Sequence, residues 1–105
     1  MYSRVTLLEI DTLRVTMDEA TSLFRGNVLP RLQELDGYEG VVVLATPEGK
    51  GMLISVWETE EAAQASAAFA AGELERYVTL FRSPPGREQY EVVLADMAEL
   101  AAARR

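Results

Sequence analysis

The sequence contains neither cysteine nor histidine among its 105 residues. Without Cys there is no disulfide, no thiolate nucleophile and no sulfur-bound zinc. Without His there is no imidazole base, no His-ligated haem and no His-based metal site. Long apolar runs are missing too: the longest aliphatic stretch is residues 41–45, far short of the ~20 residues of a membrane-spanning helix. Basic residues are few, ten Lys and Arg against 17 Asp and Glu for a net charge of −7, and they form no stripe. Phosphate backbones and anionic membrane surfaces are therefore repelled rather than recognised. The first residues carry Arg4, Glu9, Asp11 and Arg14 and no signal-peptide pattern, which reads as a cytoplasmic protein. No metal and no cofactor is expected, and the expected ligand is a small molecule or a protein.

What remains is a chain of a length that supports one hydrophobic core. Residues 2–10 are rich in Val, Thr, Leu and Ile and read as a strand. From Met17 the apolar residues Met17, Ala20, Leu23, Phe24, Val28, Leu32 and Leu35 recur at helical spacing, with Thr16 or Asp18 placed to cap the start. Pro30 falls inside that pattern and predicts a kink near Gly26, and Gly37 stops the helix. Residues 41–45 read as a strand buried on both faces, followed by a turn over 47–51 and a returning strand over 52–57. That strand sets Leu53, Ser55 and Trp57 on one face and Met52, Ile54 and Val56 on the other.

Thr59 caps a second helix whose first turn holds Glu60 and Glu61. Seven of the ten residues over 62–71 are alanine, which favours helix and lets the segment approach a sheet closely. Gly72 is expected to interrupt it, and Leu74, Tyr77, Val78 and Phe81 to form a second helical piece ending at Ser83-Pro84-Pro85-Gly86. A last strand is expected over 90–95 and a short helical tail after it. The order predicts an α+β fold, a ferredoxin-like βαββαβ unit with a four-stranded antiparallel sheet and both helices on one face. Residues 1–96 form that single domain and residues 97–105 the tail.

Two helices cover only one face of such a sheet, yet the strands carry apolar residues toward both sides. A second copy packing sheet against sheet buries the other face, so a homodimer is expected.

The stretch Trp57-Glu58-Thr59-Glu60-Glu61-Ala62 resembles the junction of third strand and second helix in antibiotic-biosynthesis-monooxygenase-like proteins of the dimeric α/β-barrel superfamily. Leu29-Pro30 followed by Gly37-Tyr38-Glu39-Gly40 is similar to a passage common in those proteins, and the resemblance runs over residues 3–95. It implies a dimeric α/β barrel binding a small molecule between sheet and helices. The superfamily includes cofactor-independent oxygenases of hydroxylated aromatic compounds, haem-degrading enzymes, isomerases and proteins of no assigned activity. The haem-degrading branch carries a His in the helix after the Trp, where this chain has Ser66 and Ala67, and an Asn in the first strand, whereas Asn27 is the only Asn here. The resemblance therefore does not extend to haem degradation. In the oxygenase branch the substrate supplies its own electrons, and the protein deprotonates, orients and shields it without metal or flavin.

The pocket candidates are Trp57, Tyr77, Phe69, Ser66, Phe24 and Arg4; no catalytic residue is assigned. Each has a plainer role. Trp57 joins strand to helix as a core anchor with its N–H bonded nearby. Ser66 is a small spacer bonding back to its own helix. Phe24, Phe69, Tyr77 and Phe81 lie on apolar stripes, where core is the commoner outcome, although a buried Tyr77 hydroxyl needs a partner. Arg4 either stabilises an anion inside the fold or pairs with a carboxylate at the dimer surface. Glu9 and Glu91 serve as bases only if buried, and Tyr38 and Glu39 read as loop. Three functions stand side by side: an aromatic-binding protein with cofactor-independent oxygenase chemistry, a non-catalytic ligand-sensing or partner-binding dimer filled by its own side chains, and an isomerase built on a buried carboxylate.

Overall fold

In the computed structural model, which describes residues 1–83 and 85–97, strand β1 (Tyr2–Glu9) lies inside the sheet. It pairs antiparallel with β3 (Lys50–Trp57) on one side and β4 (Gly86–Glu91) on the other. Strand β2 (Tyr38–Ala45) pairs antiparallel with β3, so the order across the sheet is β2-β3-β1-β4. This is the expected ferredoxin-like arrangement. Directly paired residues share a face, so Tyr2, Arg4, Thr6, Leu53, Ser55 and Trp57 look one way and Val5, Leu7, Met52, Ile54 and Val56 the other. The division foreseen for β3 holds.

Thr16 starts the first helical segment with a reciprocal capping box: its Oγ1 accepts from the Glu19 N–H at 3.1 Å while Glu19 Oε1 accepts from the Thr16 N–H at 2.9 Å. Helix α1 (Met17–Leu23) runs into a π-helical turn over Phe24–Val28 and then α2 (Leu29–Leu32). The irregularity expected at Gly26 is that turn. Pro30 has no N–H to give the Gly26 carbonyl and its ring crowds the same group; one wide turn relieves both conflicts without ending the helix. Gly37 follows at φ 79°, and a Cβ there would sit 2.6 Å from Ala62 Cβ. Gly49 closes the β2–β3 hairpin at φ 105° against the Ile10 carbonyl.

Helix α3 (Glu60–Arg76) begins at its Thr59 cap and continues through Gly72, which corrects the expected interruption. A lone glycine costs a helix only about 1 kcal/mol relative to alanine, and the alanines before it supply propensity. The second helical piece is also corrected: only a 3₁₀ turn (Val78–Leu80) follows, Val78 is exposed, and Phe81 is extended and bridges to Ile10. Strand β4 lies earlier than residues 90–95, because its partner β1 ends there: Tyr2 pairs with Glu91 and the Val92 N–H reaches the Met1 carbonyl. Tyr38 and Glu39 belong to β2 rather than to a loop. The expected tail helix lies, from residue 98 on, outside the described residues. Among the described residues no helix is long and apolar enough to cross a membrane.

Candidate functional site

The two stretches that carry the resemblance meet in space. Trp57 is fully buried and clusters with Leu32 of α2 and Ala63 of α3, with Tyr2, Phe24, Leu29, Tyr38 and Phe69 packed around them. Tyr38 meets Trp57 edge to face, ring centroids 5.8 Å apart, and Gly37 lets the chain pass against Ala62 while its carbonyl accepts from the Glu58 N–H at 2.8 Å. Glycine, aromatic ring, tryptophan and alanine thus form one junction that fixes both covering helices to the sheet. The indole N–H donates to Ser55 Oγ at 2.9 Å, so a buried donor is satisfied by a side chain of the same strand.

Around this junction the covered side of the sheet also carries polar groups. Thr6, Ser55 and Ser66 are buried there, Ser66 donating to the Ala63 carbonyl at 2.7 Å. Arg4 Nη1 donates to Gln89 Oε1 at 3.2 Å across β1 and β4. Burial, and then the like charge of Arg87 two register positions along, push the Arg4 guanidinium below its ordinary value. Among the described residues no carboxylate lies within ion-pair distance of Arg4 or Arg87. At the other end of this rim, Glu91 and Glu60, then burial and Glu61, hold the Tyr2 hydroxyl above its ordinary range. The rim is therefore basic at Arg4 and Arg87 and acidic beside Tyr2.

On α3, Ala63, Ser66 and Glu73 fall on one stripe and are its buried residues. Glu73 is the one buried carboxylate among the described residues. Its Oε1 pairs with Arg31 of α2 and lies 3.7 Å from Arg76, and Arg31 also stacks 5.3 Å over the Phe69 ring. Its Oε2 is buried without a hydrogen-bond partner among the described residues.

The six candidates thus divide. Trp57, Phe69, Phe24 and Ser66 come together beneath α2 and α3, while Arg4 lies on the covered side of β1, which removes it from the open sheet face where a dimer would form. Tyr77 caps α3 half-buried, outside the cluster. Glu9 and Glu91 are exposed. Sequence reasoning missed Arg87 and Gln89, which a strand placed at 90–95 leaves in a loop, and Glu73, whose signal is its helical spacing of seven from Ser66. Two open surface grooves lie elsewhere: one of about 450 Å³ at the β2–β3 hairpin end, lined by Leu7, Leu8, Leu44, Ala45 and Met52, and one along α1.

No family model matches the chain. It is 34% identical over 95 residues to the uncharacterised protein Rv2558 of Mycobacterium tuberculosis, covering 90% of this chain and 39% of that protein. The chain thus spans about two fifths of the length of that relative. Among solved structures it is similar to the ActVA-Orf6 monooxygenase of Streptomyces coelicolor in complex with nanaomycin D, at TM-score 0.70 and 18% identity over 93% of this chain and 92% of that one. It is also similar to the haem degrader MhuD of M. tuberculosis with two haems bound, at TM-score 0.68 and 22% identity over 92% and 100%. The fold is that of antibiotic-biosynthesis-monooxygenase-like proteins.

Proposed function

We propose that the chain forms a homodimer through its open sheet face and binds a small, largely apolar or aromatic molecule between the covered face and the helices. The proposed reaction is cofactor-independent oxygenation of a hydroxylated aromatic compound. The observation that carries this reading is the set of polar side chains held beside Trp57 under the helices. The side the helices cover holds Arg4, Thr6, Ser55 and Gln89 among Trp57, Leu53 and Val41, with Ser66 of α3 above them, while the side left open holds Val5, Leu7, Val42, Leu44, Ile54 and Val56 beside Ser3 and Glu88. A domain that needed only a core would not place a guanidinium and an amide under its helices, nor leave so many aliphatic side chains on the open side. A few polar groups among aromatic walls are what a small-ligand site requires. Trp57, Phe69 and Phe24 are the proposed walls, and Arg4 the group that stabilises an oxyanion. In the reaction two substrate hydrogens leave with one atom of dioxygen as water, and the other atom becomes a carbonyl oxygen.

A second reading, a non-catalytic ligand-sensing or partner-binding dimer closed by its own side chains, is favoured by the complete burial of Trp57 and the packing of Phe69 in the same cluster. A thermal-shift panel of hydroxynaphthalenes, small phenols, lactones and haem separates the two. A ligand at a hundred times its dissociation constant adds about 2.7 kcal/mol, a clear rise in Tm. A rise with a hydroxyaromatic, followed by oxygen uptake with that compound, supports the first reading; no rise across the panel supports the second.

A further inference from the structure

A carboxylate at the centre of a protein normally has both oxygens engaged, because an ionised oxygen left without a donor is among the costliest groups to bury. Glu73 departs from this. The residue is only 6% exposed, its Oε1 takes the Arg31 and Arg76 guanidinium groups, and its Oε2 is buried with no partner among the described residues. It is held from two helices, α3 and α2, and Arg31 is itself braced on the Phe69 ring, so the free oxygen is fixed in place rather than swept through solvent. Glu73 shares its stripe with Ser66 and Ala63, the latter packed on Trp57.

We propose that Glu73 Oε2 is the acceptor for the hydroxyl of the bound aromatic ligand, and so the residue that selects hydroxylated over unsubstituted or capped rings. This rests on the small-molecule reading above. The chemistry of the donor follows from the local charge. One carboxylate beside two guanidinium groups leaves a net positive environment, so an ammonium donor is repelled and a neutral O–H is accepted.

The test is calorimetric titration of the full chain with 2-naphthol, 2-methoxynaphthalene and 2-naphthylmethylammonium, repeated with Glu73→Gln. A hydrogen bond to a charged acceptor predicts that 2-naphthol binds about tenfold or more tightly than its methyl ether, and that the ammonium binds no better than the ether. Glu73→Gln turns an acceptor into a donor at Oε2 and should bring naphthol and ether within about threefold. A merely structural Glu73 would lower Tm in the variant while leaving the naphthol-to-ether ratio unchanged, which overturns the proposal. Equal binding of naphthol and ether by the unmodified chain, or tightest binding of the ammonium, overturns it as well while leaving the pocket standing. Binding of none of the three removes the pocket reading and this inference together. The comparison on the unmodified chain decides the matter even if the variant does not fold.

Discussion

The two faces of one sheet are built on opposite principles. The face under the helices is anchored at a single fully buried residue, Trp57, and around it carries hydroxyls, an amide and a guanidinium. The open face carries mainly branched and long aliphatic side chains, with Leu7 and Leu44 half exposed and Ser3 and Glu88 toward its β4 edge. The same strands serve both, since alternate residues of β1 and β3 face opposite ways. The difference teaches that this chain divides its apolar strand surface between both faces and sets most of its buried hydroxyls under the helices. In the proposed dimer the open face buries a second copy, and the covered face holds the polar groups.

The largest expected effect breaks the open side. Ile54→Asp places a carboxylate in the middle of that face, and in a two-fold interface each substitution is made twice. Two unpaired buried charges cost several kcal/mol each, so the proposed dimer should give way to monomer or aggregate across micromolar concentrations, read by light scattering coupled to size exclusion. An Ile54→Asp protein that remains a dimer would assign the interface to another surface. On the covered side, Trp57→Ala should cost about 3–5 kcal/mol in urea unfolding, because it opens a cavity at the junction of α2, α3 and β3. A loss near 1 kcal/mol would mean that the interior has room to collapse.

Between these faces lies the hairpin that joins β2 to β3. Gly49→Ala places a methyl 2.5 Å from the Ile10 carbonyl oxygen at φ 105°. Strain of both kinds should lower stability by more than about 1 kcal/mol, without changing oligomeric state. A dimer weakened by Gly49→Ala would tie the hairpin end, with its groove around Leu44 and Met52, to the interface.

Much of this contrast is legible before any coordinates. Period-two alternation separates Leu53, Ser55 and Trp57 from Met52, Ile54 and Val56, and the caps at Thr16 and Thr59 announce both helices. Failures cluster where tertiary pairing outranks local propensity. Val92, Val93 and Leu94 are better strand formers than Gly86 to Gln89, yet β1 pairs with residues 86–91 and its first residue, Tyr2, already lies opposite Glu91. Gly72 is a poor helix former carried by its neighbours. The site is less legible than the fold for the same reason: Arg87 and Gln89 reach the covered rim only because β4 is displaced. Glu73, one of 17 acidic residues, is distinguished from the rest only once Arg31 is seen across from it.

The smallest effect sharpens the comparison from its rim, at the cap that holds α1 over the covered face. Thr16→Ala removes the acceptor for the Glu19 N–H and should cost about 1 kcal/mol. Glu19 returns a bond to the Thr16 N–H, and that bond, with the Thr16 side chain second, lowers its carboxyl below the ordinary value. A carboxyl depressed in the folded state adds stability that is complete above its unfolded value and disappears as pH falls through the folded value. Glu19→Gln should therefore lower stability near neutrality and converge on the unmodified chain in acid, measured as urea midpoints against pH. Parallel curves would show that the cap holds by geometry alone, leaving the helical roof insensitive to the charge at its edge.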